Sequence, residues 1–331
     1  MGNLIQRIDS AKKTWGMSLA DPREDAGETA TFSRSLEYIQ AQMYEVQFPQ
    51  RAGRKVLPFT SIPDWADKVT YRQKERTGKA KMFAHMETDD LPGVDLKGAE
   101  FSQSVYSFGA SYAYSVDELR KAAKMQMNLD QDRSMAAREA CEDFLDDLIW
   151  LGDTPTGLKG LPQASNILAV TKGAQASGTT WQDADGDALA TPQEVDNDLN
   201  KMFLAIFNGS KGVHTPDSLL VGGMGYAFLN TRPQSPTFTA ESIATWLLKK
   251  NPWLKRIEYC PKLDTVGASS KERIMLMQSG PQIASVEMAQ DFAQLPPQAR
   301  NFRFVVNCYM KSAGVKVLYP KAISYMDATQ P

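Results

Sequence analysis

A long apolar stripe occupies residues 137–151 of the chain. Its members follow the helical spacing i, i+4, i+7, i+11 and i+14: Ala137, Cys141, Phe144, Leu148 and Leu151. This spacing places them on one helix face, and Gly152, which follows directly, is a typical helix-ending residue. Ser115 and Glu118 have the spacing of a capping box, which opens a helix. The pattern therefore predicts residues 115–151 as the longest helical unit of the chain, with a break or restart at Asn128-Leu129-Asp130.

The C-terminal part of the chain favours mixed α and β structure. Short apolar strands and amphipathic helices alternate over residues 190–295. Alternating apolar residues follow at 302–308 and again at 315–319, as in strands with one buried face. The small residues Ser312-Ala313-Gly314 between them predict a turn, so we expect a C-terminal hairpin. The fold class that these patterns indicate is α+β.

Residues 63–98 combine many basic side chains with few apolar ones. Six cations cluster here: Lys68, Arg72, Lys74, Arg76, Lys79 and Lys81. We expect two strands joined around Arg76-Thr77-Gly78, which form a projecting ribbon without a core face of its own. Because such a ribbon needs a partner surface, it favours contact with another copy of the chain.

An acidic row lies on the predicted long helix. Glu139, Asp143 and Asp147 follow each other at four-residue intervals, so they share one helix face. Such a row is typical of a solvated face or of an interface that meets basic residues of another subunit. We predict that the basic ribbon of a neighbouring copy contacts this row.

The chain of 331 residues is nearly neutral, with 37 Lys plus Arg against 39 Asp plus Glu. This balance argues against a dedicated nucleic-acid-binding protein. No apolar run reaches the length of a membrane-spanning helix. The three widely separated cysteines are interpreted as buried thiols in a reducing compartment. With two histidines in the whole sequence, a multi-histidine metal centre and His-dependent catalysis are both disfavoured.

One acidic loop resembles a calcium-binding loop. The carboxylates of Asp183, Asp185, Asp187 and Glu194 occupy positions one, three, five and twelve. Position six is Ala188 instead of glycine, and Glu194 is already explained by a capping box with Thr191. We therefore interpret the loop as a solvated acidic turn with only a weak resemblance to a metal site.

No other pattern indicates a ligand or a reaction. Gly222-Gly223-Met224-Gly225 follows a predicted strand, but it is neither a Walker A motif nor a dinucleotide-binding fingerprint, so a packing role is favoured. The sequence thus predicts no catalytic residue, no cofactor and no metal ion, and we do not expect an enzyme.

Nine short motifs follow one another in a characteristic order and spacing over residues 35–328. They are Ser35-Leu36-Glu37-Tyr38-Ile39, Tyr44-Glu45-Val46, Phe48-Pro49, Tyr114-Ser115-Val116-Asp117-Glu118-Leu119, Leu151-Gly152-Asp153, Gly157-Leu158-Lys159-Gly160-Leu161, Leu295-Pro296-Pro297-Gln298, Gly314-Val315-Lys316-Val317 and Tyr319-Pro320-Lys321-Ala322-Ile323. In this order they resemble the major capsid proteins of tailed bacteriophages, which have the Hong Kong 97 fold.

The resemblance implies a division of the chain. The chain would consist of an N-terminal arm, an extended loop, a peripheral domain with a long spine helix, and an axial domain. The expected bounds are 1–50 for the arm, 63–98 for the extended loop, 51–62 with 99–189 and 296–331 for the peripheral domain, and 190–295 for the axial domain.

The resemblance also implies a function, namely self-assembly into hexamers and pentamers of an icosahedral virion shell. The shell would enclose phage double-stranded DNA without sequence-specific binding and without a membrane, and it would assemble in the host bacterial cytoplasm. Scaffold, portal and decoration proteins are the expected further partners. An encapsulin-like nanocompartment shell protein is the alternative, and a small soluble α+β enzyme is a remote one.

Overall fold

Helices and strands alternate through the described part of the chain, which in this computed structural model comprises residues 50–82, 92–125, 129–172, 181–182, 188–234 and 241–327. The helices are α1 (Gly53–Val56), α2 (Val116–Met125), α3 (Leu129–Trp150), α4 (Pro192–Ser210), α5 (Gly223–Thr231) and α6 (Ile243–Lys250). The strands are β1 (Phe59–Ser61), β2 (Lys68–Thr77), β3 (Asp95–Ser104), β4 (Tyr106–Ser115), β5 (Leu168–Ala169), β6 (Ser218–Val221), β7 (Arg256–Tyr259), β8 (Arg273–Met277), β9 (Ala284–Gln294), β10 (Gln298–Arg300), β11 (Arg303–Val317) and β12 (Ile323–Asp327). This mixture confirms the α+β prediction.

The long helix α3 packs on a five-stranded sheet. The strand order is β1-β9-β11-β10, and β4 pairs with β11. Leu145, Ile149 and Trp150 of α3 are buried in the same core as Val286 of β9 and Met310 of β11. The sheet and the helix therefore form one packed layer pair.

The predicted C-terminal hairpin is wrong, because residues 303–317 form the single long strand β11. β11 pairs antiparallel with β4 and with β9 along its length. The small residues at 312–314 shift the register between β11 and β9 instead of reversing the chain. Gly314 has a φ of +80°, a left-handed conformation that suits a bulge.

A second five-stranded sheet has the order β5-β12-β8-β6-β7. Its central strand β8 is buried on both faces. Ile274 and Leu276 point into a core shared with α4, α5 and α6, whereas Met275 and Met277 point into the core beneath α3. This alternation follows from the two-residue period of a strand, and it joins the two sheets through a continuous apolar interior.

Strand pairing mixes the sequence ranges that the resemblance implied. β9 comes from the predicted axial segment, 190–295, yet it pairs in the first sheet, and β12 from the 296–331 segment pairs in the second sheet. β3 likewise spans the expected boundary at residue 98. The chain passes between the two sheets more than once, so no single sequence range corresponds to one sheet. Residues 1–49 of the expected arm lie outside the described residues.

The apolar stripe of the long helix is only partly buried. The predicted unit 115–151 contains the two helices α2 and α3, and α3 begins at Leu129, where the sequence predicts a break or restart. Ala137, Cys141 and Leu148 are buried, but Phe144 is 44% exposed and Leu151 is 40% exposed. The buried face runs instead through Leu145 and Ile149, because the helix turns its acidic row partly towards the body.

Candidate assembly surface

Strands β2 and β3 form a two-stranded antiparallel ribbon that pairs with no other described strand. The register runs from Lys68 opposite Ser104 to Thr77 opposite Asp95. The second strand therefore begins at Asp95, so the predicted connection around Arg76-Thr77-Gly78 is wrong. Residues 78–94 separate the two strands, and 83–91 of them lie outside the described residues.

The two faces of the ribbon differ in chemistry. Even-numbered residues of β2 share one face, and its basic members are all exposed: Lys68, Arg72, Lys74 and Arg76. Glu100, opposite Arg72, is the acidic residue of β3 on this face. The Arg72 Nε to Glu100 Oε1 distance is 3.3 Å, and both side chains are more than half exposed. The face therefore keeps a net positive charge.

Two further predicted contact residues, Lys79 and Lys81, follow the end of β2. Both are exposed, and Met82 beside them is 99% exposed. The six predicted contact cations thus lie on or directly beyond one strand of the ribbon, where another molecule has access to them.

The other face of the ribbon is attached to the body of the protein. Tyr71 and Phe101 stack with a centroid distance of 5.5 Å, and the Lys316 ammonium lies 5.7 Å from the Tyr71 ring. Lys316 also forms an ion pair with the buried carboxylate of Glu287. Gln103 donates a hydrogen bond to the Val315 carbonyl at 3.3 Å. Burial, together with the charge of Glu287, raises the pKa of Tyr71.

The acidic row on α3 has partners within the same chain. Arg51 Nε lies 2.5 Å from Asp143 Oδ1, and the ammonium of Lys262 forms an ion pair with Asp147. Glu139 is exposed, and its main-chain carbonyl accepts a hydrogen bond from Arg51. The structure therefore does not leave the row as a vacant acidic surface, and the expected contact with a neighbour's ribbon remains a prediction.

Two more carboxylates on α3, Glu142 and Asp146, hold the segment around α1. Arg54 donates two hydrogen bonds to Glu142, at 2.7 and 2.8 Å, and the main-chain N–H of Gly53 donates to Asp146 at 2.8 Å. Burial raises the pKa of Asp146. A side chain at Gly53 would collide with Ile149, since its Cβ would lie 2.7 Å from Cδ1. Neither contact has a sequence signal, because about 90 residues separate the partners.

The structure describes only one of the four carboxylates in the loop that resembles a calcium-binding loop. Asp183, Asp185 and Asp187 lie outside the described residues. Glu194 belongs to the predicted capping box, in which its backbone N–H donates to Thr191 Oγ1 and its carboxylate accepts from the Thr191 N–H. Among the residues that the structure describes, no group of three or more Asp, Glu, His or Cys side chains has an arrangement that could hold a metal ion.

The glycine-rich segment at the start of α5 binds the chain's own carboxylates. The N–H of Gly223 donates to Asp264 at 2.5 Å, and that of Gly225 donates to Glu272 at 3.0 Å. A Cβ at Gly222 would lie 2.3 Å from an Asp264 oxygen. The glycines are therefore needed for this close packing, as the sequence suggested, and the helix N-terminus is already occupied by negative charge.

The three cysteines are buried, and His214 is partly buried. Cys141, Cys260 and Cys308 are free buried thiols, and burial raises the pKa of each of them. His214 shares a hydrogen bond of 3.0 Å with Gln278. Thiols with raised pKa values are poor nucleophiles, so this arrangement favours structure over chemistry. In the described residues no helix has the length and hydropathy of a membrane span.

Solved structures with a similar fold come from capsids. The capsid of Myoviridae phage XM1 matches with a TM-score of 0.74 at 17% identity, covering 90% of this chain and 98% of that chain. The capsid of the native GTA particle matches with a TM-score of 0.62 at 10% identity, covering 94% and 99%. Mycobacterium phage Ogopogo gives a TM-score of 0.58 at 10% identity, covering 90% and 98%. These likenesses confirm the Hong Kong 97-like fold.

Sequence comparison gives the family directly. No curated protein matches the chain closely. The family described as major capsid protein matches residues 78–328, which is most of the chain and includes β3, α3, the second sheet and all of the first sheet except β1. The chain is therefore a capsid shell protein of the virion, and the encapsulin alternative is not favoured. By this match the chain belongs to the major capsid protein family, as the motifs of its sequence predicted.

Proposed function

We propose that the chain forms the hexamers and pentamers of an icosahedral shell that encloses phage double-stranded DNA. The observation that carries the proposal is the family match over residues 78–328 together with a fold shared with phage capsids over 90% of the chain. The ribbon of β2 and β3 adds support, because it projects polar, charged strands that the chain's own core does not cover.

Charge supports enclosure of DNA rather than sequence-specific binding. The formal net charge of the chain is −2, so a shell of many copies has no overall attraction for a polyanion. DNA would then have to be driven into the shell by another component. Assembly in the host bacterial cytoplasm and contacts with scaffold, portal and decoration proteins belong to the same proposal. A role without catalysis fits this function.

Contacts between copies are assigned to the ribbon. Its exposed cations Lys68, Arg72, Lys74, Arg76, Lys79 and Lys81 would meet acidic side chains of a neighbour. Glu139 is exposed, whereas Asp143 and Asp147 are partly exposed and would share their Arg51 and Lys262 partners with the neighbour. Shared partners would make this contact weak and salt-dependent.

Electron microscopy of the purified full-length chain, with nuclease treatment followed by nucleic-acid analysis, tests the proposal. Closed shells from cells with the packaging components, containing nuclease-protected DNA, are expected. Shells that contain a co-purified cargo protein would favour a nanocompartment instead. A monodisperse small oligomer under all assembly conditions would contradict the proposal and favour the soluble-enzyme alternative.

A further inference from the structure

Two adjoining cavities form a groove beneath the ribbon. One of about 400 Å³ lies between the ribbon residues 71–73 and 101–103 and the body, and the other, of about 640 Å³, continues to the C-terminal end of α4. Their linings share Gln73, Asn166, Leu318 and Pro320, so the two cavities lie side by side. We call this feature the sub-ribbon groove.

The lining of the sub-ribbon groove is apolar and cationic. Its apolar walls include Phe101, Leu158, Val315, Val317 and Leu318. Its ionisable lining residues include Lys159 in the first cavity and Lys211, His214 and Lys321 in the second, whereas no Asp or Glu lines either cavity. The groove therefore suits an apolar group that carries negative charge beside it.

An aromatic side chain with those neighbours is exposed elsewhere on the same chain. Trp65 is 80% exposed, and Asp64 and Asp67 beside it are exposed as well. Lys311 donates to the main-chain oxygen of Asp64, and among the described residues neither carboxylate forms an ion pair. An exposed tryptophan is costly in water, and tryptophan is enriched among the residues that dominate interfaces between proteins.

Charge distinguishes Trp65 from the two other large apolar side chains of the described residues that are at least 80% exposed. Phe302 is 85% exposed but lies between Arg300 and Arg303, and Met82 follows Lys81. Their cationic neighbours would be repelled by the lysines of the groove. Trp65 is the aromatic residue among these three whose neighbours are acidic.

We propose that Trp65 of a second copy inserts into the sub-ribbon groove, with Asp64 and Asp67 facing Lys211 and Lys321. A tryptophan buries about 150–250 Å² on insertion, and the groove has room for its indole ring. The contact joins two different patches of the same chain, so each copy both offers a tryptophan and receives one. The inference rests on the proposed self-assembly, to which it adds a specific pairing.

Charge reversal with rescue tests the pairing. Asp64→Lys with Asp67→Lys, and separately Lys211→Glu with Lys321→Glu, should each lower the assembled fraction about tenfold, measured by sedimentation velocity. The variant that combines all four substitutions should recover most of the assembly. Trp65→Ala should lower assembly by a similar factor, and Trp65→Phe by less. Because all these side chains are exposed in one copy, thermal melts of the unassembled protein should be unchanged.

The outcomes separate this inference from the proposed function. The pairing is overturned, and shell formation is left intact, if the wild type forms shells but the variant with all four substitutions assembles no more than the two double variants. If the wild type forms only small oligomers under all conditions, the proposed function fails. The pairing is then decided by sedimentation of those oligomers, where rescue supports it and the absence of rescue overturns it.

Discussion

The ribbon and the long helix α3 carry similar densities of charge, but they use it differently. On α3, the carboxylates of Glu142, Asp143 and Asp146 are met by arginine side chains and a backbone N–H of the same chain. On the ribbon, Arg72 has one long ion pair in solvent, to Glu100. Charges on α3 therefore complete the fold of one copy, whereas those on the ribbon remain available to another molecule.

This difference separates the residues that stabilise the folded single chain from those that are available to stabilise the assembled shell. Partly buried, bidentate pairs stabilise the individual chain, since water screens them little. Exposed cations contribute little to that stability, because the median surface ion pair is worth about 0–1 kcal/mol. Substitutions in the two regions should consequently separate folding from assembly.

Reversing the ribbon's charge should have the largest effect, which is on assembly. The triple variant Arg72→Glu, Lys74→Glu and Arg76→Glu should form no shells, because the exposed face changes sign. Its unfolding free energy should change by less than about 1 kcal/mol. Electron microscopy and denaturant titration of the unassembled protein measure the two quantities.

The charge-conserving variant Arg72→Lys with Arg76→Lys is the matched control, and it should still form shells. Normal shells from the triple Glu variant would show that the ribbon's positive charge has no part in assembly.

Truncating a core side chain should have the largest effect on folding. Leu145 on α3 is 1% exposed, so Leu145→Ala should lower the unfolding free energy by about 2–5 kcal/mol. Leu96 on the ribbon is 66% exposed, and Leu96→Ala should change it by less than about 0.5 kcal/mol. Urea titrations of the two variants provide the comparison. Equal losses would mean that the ribbon has a core in the single chain.

The sequence predicts features that depend on neighbouring residues better than features that depend on distant ones. Local signals were reliable: the capping boxes at Ser115 and Thr191 both form, and Gly152 ends α3 with a φ of +70°. They depend on residues three or four apart, which the sequence displays directly. The predicted basic ribbon forms as well, although its Tyr71 face packs on the body and residues 78–94 separate its strands.

Predictions that depended on distant pairing failed. The bulge at Gly314 looked like a hairpin turn, because the sequence does not show that β4 and β9 pair on either side of β11. The contacts of Arg51 and Lys262 with the acidic row have no sequence signal either, because these residues lie about 90 and 115 residues away from their partners. The resemblance of the motifs to a known family predicted the fold, which the local patterns alone did not.

A buried lysine offers a test by pH. Lys172 is 8% exposed and lies 4.8 Å from the Trp181 ring, and burial lowers its pKa to about 8. Below pH 8 the ammonium is charged in both states, and burying it costs stability. Between pH 8 and about 10.5 the unfolded chain binds more protons, so this residue makes stability rise with pH. The rise should be about 1–3 kcal/mol.

Lys172→Met should remove that rise, and Lys74→Met, which replaces an exposed ammonium on the ribbon, should keep it. Denaturant titrations at pH 8 and pH 10 decide the matter. A pH dependence identical in the wild type and in Lys172→Met would rule out Lys172 as its source.

The smallest expected difference compares two arginines directly. Arg54 makes a bidentate pair with Glu142, whose side chain is 10% exposed, and Arg54→Ala would leave that carboxylate with one partner fewer. Because Arg54 itself is 41% exposed, the expected loss is only about 1–2 kcal/mol. Arg72→Ala should cost less than about 0.5 kcal/mol, since both members of its pair are in solvent.

Salt sharpens this last comparison. The loss caused by Arg54→Ala should persist in 0.5 M NaCl, because ions screen partly buried pairs weakly, whereas any loss caused by Arg72→Ala should disappear. Urea titrations at low and high salt give the four values. If both losses vanish in salt, the ion pair of Arg54 with Glu142 stabilises the single chain no more than the exposed ion pair of Arg72 with Glu100 does.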